Sequence, residues 1–169
     1  DPSTMLMDET KLINLINLKQ IEAIIFVHLY GQIQPLESIY HLAKTNNIKI
    51  IEDAAQALGA KRNNLPPGSY SDLTCVSFDP TKVLGAYGSG GAVLTNSSSM
   101  SEVIKLLRYH GNKGEESIIT GFNSQLAEVQ AAILNVKLNY LDLWQNKRHE
   151  IAKNYFNGLA NLKNIKFFK

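Results

Sequence analysis

Short runs of apolar residues alternate with longer segments whose apolar positions recur at helical spacing. Ala23–His28 is an apolar run ending in Tyr30-Gly31, and Ile48–Ile51 is a second, ending in Glu52-Asp53. Leu73–Phe78 is a third, ending in Asp79-Pro80, and Gly91–Leu94 is a fourth, ending in Thr95-Asn96. Each is too short for a helix and rich in β-branched or aromatic residues, so each predicts a strand. The unbroken apolarity of the first two predicts burial on both faces, as in a parallel sheet.

Helices are predicted between the strands. Asp8–Leu18 collects Leu12, Leu15 and Ile16 on one side, and Leu36–Lys44 follows Pro35, a residue suited to a first helical turn. Ser99 with Glu102 has the spacing of a capping box ahead of Val103, Ile104, Leu106 and Leu107. From Ser124 to Leu159 there is no proline, and Leu126, Val129, Ile133, Leu134 and Leu141 begin a pattern that Trp144, Ile151 and Tyr155 continue. This predicts one or two long helices, with a break placed, if anywhere, near Leu138–Asp142. The stretch Asn164–Phe168 reads as the start of another strand. Strand–helix–strand order of this kind specifies an α/β domain with a mostly parallel sheet flanked by helices and ending in a long helix.

Composition narrows the chemistry. A chain of 169 residues is one domain or part of one, and a net charge of +2 argues against an electrostatic nucleic-acid binder. Ala23–Val27 is the longest unbroken apolar run in the first half, against the roughly 20 residues a membrane span needs. The single cysteine, Cys75, excludes an internal disulfide and fits a reducing, cytoplasmic setting; within an apolar run it reads as an inert core thiol. The chain opens on Asp1 without a basic and apolar leader, which predicts no signal peptide.

Several common site signatures fail. Gly85-Ala-Tyr-Gly88-Ser-Gly90-Gly91 precedes a strand, whereas a dinucleotide fingerprint follows one, and it lacks the Gly-Lys-Ser/Thr of a phosphate loop. His28, His41, His110 and His149 are scattered with no metal-ligand spacing, so no metal site is expected. His28 and His110 read as structural histidines.

What remains is a group of polar residues at strand ends, where open α/β sheets bind ligands. Asp53 ends the second strand and Gln56 follows. Ser77 lies near the end of the third, and Lys82 stands in the next loop. An amine can form a Schiff base with an aldehyde, an acid can keep a pyridine nitrogen protonated, and a hydroxyl can hold a phosphate. Together they fit a pyridoxal phosphate site. The plainer alternative makes Asp53 a helix cap, Lys82 a solvated loop residue and the glycines turn residues.

Six ordered segments decide between these. They are Val27-His-Leu-Tyr-Gly31, Ile51-Glu-Asp-Ala-Ala-Gln-Ala-Leu-Gly-Ala60, Pro67-Gly-Ser-Tyr-Ser-Asp72, Val76 to Ala92 around Lys82, Leu107-Arg-Tyr-His-Gly111 and Gly121 to Ala132. In these the chain resembles the DegT/DnrJ/StrS family of pyridoxal-phosphate-dependent sugar aminotransferases. The resemblance implies the large-domain core of a fold-type-I aminotransferase. Residues 1–160 would be the central part of the cofactor-binding domain, and residues 161–169 the start of a C-terminal small domain. It implies Lys82 as the Schiff-base lysine and proton shuttle, Asp53 on the pyridinium nitrogen, and Gln56 near the phenolic oxygen. Ser77 would hold the phosphate. Asn123 would reach the cofactor phosphate of the neighbouring subunit in a homodimer; read alone, Asn123 is better explained as a helix N-cap before Ser124.

The resemblance further implies an amino-acid donor, glutamate, and a nucleotide-linked keto sugar as acceptor, in cell-surface polysaccharide or secondary-metabolite sugar synthesis. Family members are about twice as long, so a catalytically incomplete portion of such an enzyme is the alternative. Gln125 and Ser89 stand where many members have Arg and Asp, and an amide cannot reproduce a bidentate guanidinium contact. The Ser124–Leu159 region is expected to expose apolar surface.

Overall fold

The structure is a computed structural model that describes residues 1–165 and 167. Its elements run α1 (Glu9–Asn17), β1 (Ala23–Val27), α2 (Glu37–Thr45), β2 (Lys49–Asp53), β3 (Leu73–Ser77), β4 (Gly91–Leu94), α3 (Ser98–Leu107), β5 (Asn112–Lys113), β6 (Glu116–Ser117), α4 (Glu128–Leu138) and α5 (Leu141–Leu159). The main sheet has the order β1-β2-β3-β4. β1, β2 and β3 are parallel and β4 is antiparallel to β3, so the expected mostly parallel sheet is present.

One face of the sheet carries the core. Leu12 and Ile16 of α1 and Ile39 and Ala43 of α2 close over Ile24, Phe26 and Ile50, all buried. These helices form because their apolar residues recur every three or four positions, and Asp8 caps α1 by accepting from the Lys11 amide at 3.1 Å. The other face is open, against the expectation of burial on both sides. Burial alternates along β1, with Ile25 58% and Val27 47% exposed, and Cys75 of β3 is exposed too. Apolar letters on both faces predict two covering layers, but α1 and α2 both pack on the same side. Cys75 is therefore not a core thiol.

Three boundaries also move. Ser97, not Ser99, caps α3 by accepting from the Met100 amide at 3.3 Å. The long C-terminal helical stretch is broken at Asn139-Tyr140, as the pattern allowed, and α4 starts at Glu128 with Ala127 as its cap. Asn123 therefore caps no helix. The strand expected over 164–168 lies partly outside the described residues, and Asn164, Ile165 and Phe167 have no strand structure. α5 has no buried residue, and Leu143, Ile151, Tyr155 and Phe156 are more than half exposed, the apolar surface that the resemblance to part of a longer enzyme implied.

Candidate active site

Register places the polar residues. Across the sheet, Val27 pairs with Asp53, Asp53 with Cys75, and Cys75 with Val93. These four side chains form one row on the open face, because paired residues share a face. Ser77, two residues beyond Cys75, lies on the same face. Asp53 and Ser77 are the last residues of β2 and β3, so both stand at the carboxyl ends of parallel strands, where such sheets bind ligands.

The chain after β2 is a series of turns, not a helix. Asp53 Oδ1 accepts from the Ala55 amide at 3.0 Å, so the expected side-chain-to-backbone bond exists but closes a turn. Gln56 is exposed at that turn, and its Oε1 accepts from the Tyr30 amide at 2.7 Å. Tyr30 is left-handed (φ 57°) and Gly31 follows at φ 81°, where a Cβ would stand 3.1 Å from the Gln56 carbonyl oxygen. The Tyr30-Gly31 turn after β1 thus fixes the Gln56 side chain against the turn that follows Asp53.

Lys82 lies between β3 and β4. Because β4 runs antiparallel to β3, the loop leaves and re-enters the sheet at one end. Phe78 donates to the Gly90 carbonyl and Ala86 to the Phe78 carbonyl, both at 2.8 Å. The Lys82 amide donates to the Asp79 carbonyl at 2.9 Å. Gly85 makes this fold-back possible: a Cβ there would stand 2.5 Å from the Pro80 carbonyl oxygen. Asp79 is held below the usual carboxylate range, first by the Thr81 hydroxyl and amide and then by the charge of Lys82.

Beneath Asp53, on the covered face, lies a pair not foreseen as such. His28 Nε2 donates to Glu52 Oε2 at 2.6 Å, and both residues are buried. His28 Nδ1 accepts from the Gln34 amide at 3.2 Å, which leaves Nε2–H as the donor to Glu52. The Gly68 amide donates to Glu52 at 3.1 Å. The His28 amide also donates to the Asp53 carbonyl at 3.1 Å. The network ties the ends of β1 and β2 to the Pro66–Gly68 turn. His-x-Tyr-Gly and Glu-Asp at consecutive strand ends were its only sequence signal.

Asp53, Gln56, Ser77 and Lys82 therefore gather at one end of the sheet. Asn123 does not: it is exposed and bridges Tyr109 in an antiparallel pairing ahead of α4. His110 is exposed, with its amide donating to the Phe122 carbonyl. Among the described residues no cluster of metal-ligating side chains occurs.

The family model of DegT/DnrJ/EryC1/StrS aminotransferases matches residues 1–168. The chain belongs to this family. A dTDP-3-amino-3,4,6-trideoxy-alpha-D-glucose transaminase of Micromonospora megalomicea subsp. nigra is 44% identical over 160 residues, 93% of this chain and 42% of that protein. Among solved structures, DesV of S. venezuelae in complex with a ketimine intermediate superposes with a TM-score of 0.94 at 34% identity, over 100% of this chain and 46% of that one. NtdA of Bacillus subtilis, with its cofactor PMP bound, superposes with a TM-score of 0.84 at 33% identity, over 97% of this chain and 38% of that one. The chain thus spans less than half the length of the proteins it matches.

The side chains present suit the cofactor such enzymes use. An acid and a hydroxyl share one open face at the strand ends. An amine stands in the adjoining loop, and glycines there let backbone approach closely. Asp53 also faces Cys75, whose thiol is pushed up first by partial burial and then by the Asp53 carboxylate. Replacing Asp53 by Asn removes that negative charge, so Cys75 in cofactor-free protein is expected to alkylate faster at a fixed, mildly alkaline pH. An unchanged rate would mean that the two side chains do not face each other.

Proposed function

We propose that the intact protein is a pyridoxal-phosphate-dependent aminotransferase that moves an amino group from glutamate to the keto group of a nucleotide-linked sugar. The observation that carries this reading is the convergence of Asp53, Ser77 and the pinned Lys82 loop at the carboxyl ends of β2 and β3. The sugar acceptor is supported by the names of the relatives. When bound, pyridoxal phosphate supplies an aldehyde that receives the amino group and a ring that accepts the electron pair left by a departing proton.

Each residue then has a task. Lys82 supplies the amine that anchors the cofactor and the base that carries a proton at Nζ. The Asp53 carboxylate holds a proton on the ring nitrogen. Gln56, fixed by the Tyr30 amide, would line the ring on the side of its phenolic oxygen. Ser77 Oγ accepts from the Asp79 amide at 3.2 Å, which leaves its hydroxyl hydrogen to donate to a phosphate. The same reading extends to a homodimer in which Asn123, displaced from this cluster, serves the partner's site. It also extends to a cytoplasmic role in polysaccharide or secondary-metabolite sugar synthesis, with residues 161–169 opening a small domain.

The test is borohydride reduction of the intact protein with pyridoxal phosphate, followed by peptide mass analysis. One reduced adduct on Lys82 is expected. Adducts spread over surface lysines, with none favoured at Lys82, would reject the reading.

A further inference from the structure

α4 lays one face against the lysine loop, and its side chains hold that loop in an unusual way. Gln130, Leu134 and Lys137 are four and three residues apart, so they stack along one side of the helix. Leu134 is the buried residue of α4 and packs with Leu84 and Ala86. A polar group stands on either side of it. Gln130 Oε1 accepts from the Tyr87 amide at 2.8 Å. Lys137 Nζ donates to the Gly85 carbonyl at 2.5 Å, with the ammonium 4.5 Å from the centre of the Tyr87 ring.

We propose that Gln130 and Lys137 are positioning residues for Lys82: together they clamp residues 85–87 onto α4 and so set where the Lys82 amine reaches. The proposal rests on the pyridoxal-phosphate reading of the site. Three consecutive residues are tied by it. Gly85 O binds Lys137, the Ala86 amide donates to the Phe78 carbonyl at 2.8 Å, and the Tyr87 amide binds Gln130. On the other side of Lys82, its own amide is tied to Asp79. Only Val83 and Leu84 separate Lys82 from the clamp, and Leu84 is itself buried at 4% exposure. A shift of the clamp therefore has almost no slack in which to dissipate before it reaches Lys82.

The chemistry of Lys137 fits holding better than filling. An apolar side chain could still lie against the Tyr87 ring but would leave the buried Gly85 carbonyl without a donor. An ammonium gives that carbonyl a charge-assisted bond and places its charge over an aromatic face. Gln130 offers both halves of its amide: the oxygen takes Tyr87 N–H, and Nε2 lies 3.4 Å from the position a Cβ on Gly88 would occupy. Gly88 is thus open enough for the amide to lie against the backbone.

The experiment uses the intact protein and its Lys137→Met, Lys137→Arg and Gln130→Leu variants. Two quantities are read: hydrogen exchange across residues 83–88, and the rate at which pyridoxal phosphate becomes fixed on Lys82, stopped by borohydride at set times. Met removes the donor, whereas Arg keeps a charged N–H for Gly85 and a cation for Tyr87. With Met, and separately with Leu at 130, exchange in 83–88 is expected to rise about tenfold while α5 is unchanged. Fixation on Lys82 is expected to slow about tenfold and reach the same final extent, with Arg restoring the rate to within about twofold. A Met variant that fixes cofactor at the wild-type rate overturns the proposal, as does unchanged exchange in the loop. If Lys137→Met fails to fold, Gln130→Leu decides by the same readings. Failure of the wild-type protein to fix cofactor on Lys82 rejects the site itself, a different result from normal fixation in every variant.

Discussion

Replacing Lys82 by alanine in the intact protein is expected to lower amino transfer from glutamate by about 10⁴-fold, while Asp53, Gln56 and Ser77 still retain the cofactor. The effect is large because one group performs two tasks. On the proposed function the amine would both anchor the cofactor and carry the proton. Gly85 and the Asp79-Pro80 turn fix the backbone on either side, so the substitution removes the amine without moving the loop. Adding a small primary amine such as methylamine to Lys82→Ala is expected to return part of the rate, because it replaces the missing base. Single-turnover absorbance with excess glutamate reads the half-reaction directly. A Lys82→Ala protein that converts glutamate at more than about one-hundredth of the normal rate would show that another residue is the base.

The second large effect concerns stability. Glu52→Ala leaves the buried His28 Nε2–H and the half-buried Gly68 amide without a partner, and it opens a void. The expected loss is about 3 kcal/mol, because a charge-assisted buried bond is removed and the His28 donor stays desolvated. Glu52→Gln keeps the shape but offers one acceptor oxygen to two donors and turns an NH₂ towards them. An intermediate loss of about 1–2 kcal/mol is expected. Urea unfolding at constant slope measures both. A Glu52→Ala protein within about 0.5 kcal/mol of wild type would mean that the His28 pair is not closed as described.

How much of this was legible in the sequence depends on the range of the interaction. The strands were legible because β1 to β4 are short β-branched or aromatic runs between turn residues, and these signals are local. The placement of Asp53 and Ser77 at strand ends, and of Lys82 in the loop that follows, came from the same runs. The covering of the sheet was not legible. Ile25 and Val27 are as apolar as Ile24 and Phe26, and only the placement of α1 and α2 on one side distinguishes them. Cys75 was misjudged for the same reason. The Ser97–Ser99 run offered several hydroxyls for one cap, and spacing to Glu102 favoured the wrong one. Asn123 has the letter of a cap, but the Tyr109 bridge takes its backbone and delays the helix to Glu128. The His28–Glu52 bond and the Gln130 and Lys137 contacts join residues from 24 to 52 positions apart, beyond any local pattern.

The direction of β4 has a consequence for the timing of order. A loop that entered a fresh parallel strand would need a long crossover, and its two ends would lie far apart. Here the chain turns back beside β3, so both anchors of the Lys82 segment belong to adjacent strands of one sheet. The conformational freedom of the segment is surrendered once, when the sheet and α4 assemble around it, and not again each time a ligand arrives. If Lys82 reacts as proposed, its amine waits on a backbone that is already ordered, and the motion left for each encounter is that of its four-carbon side chain.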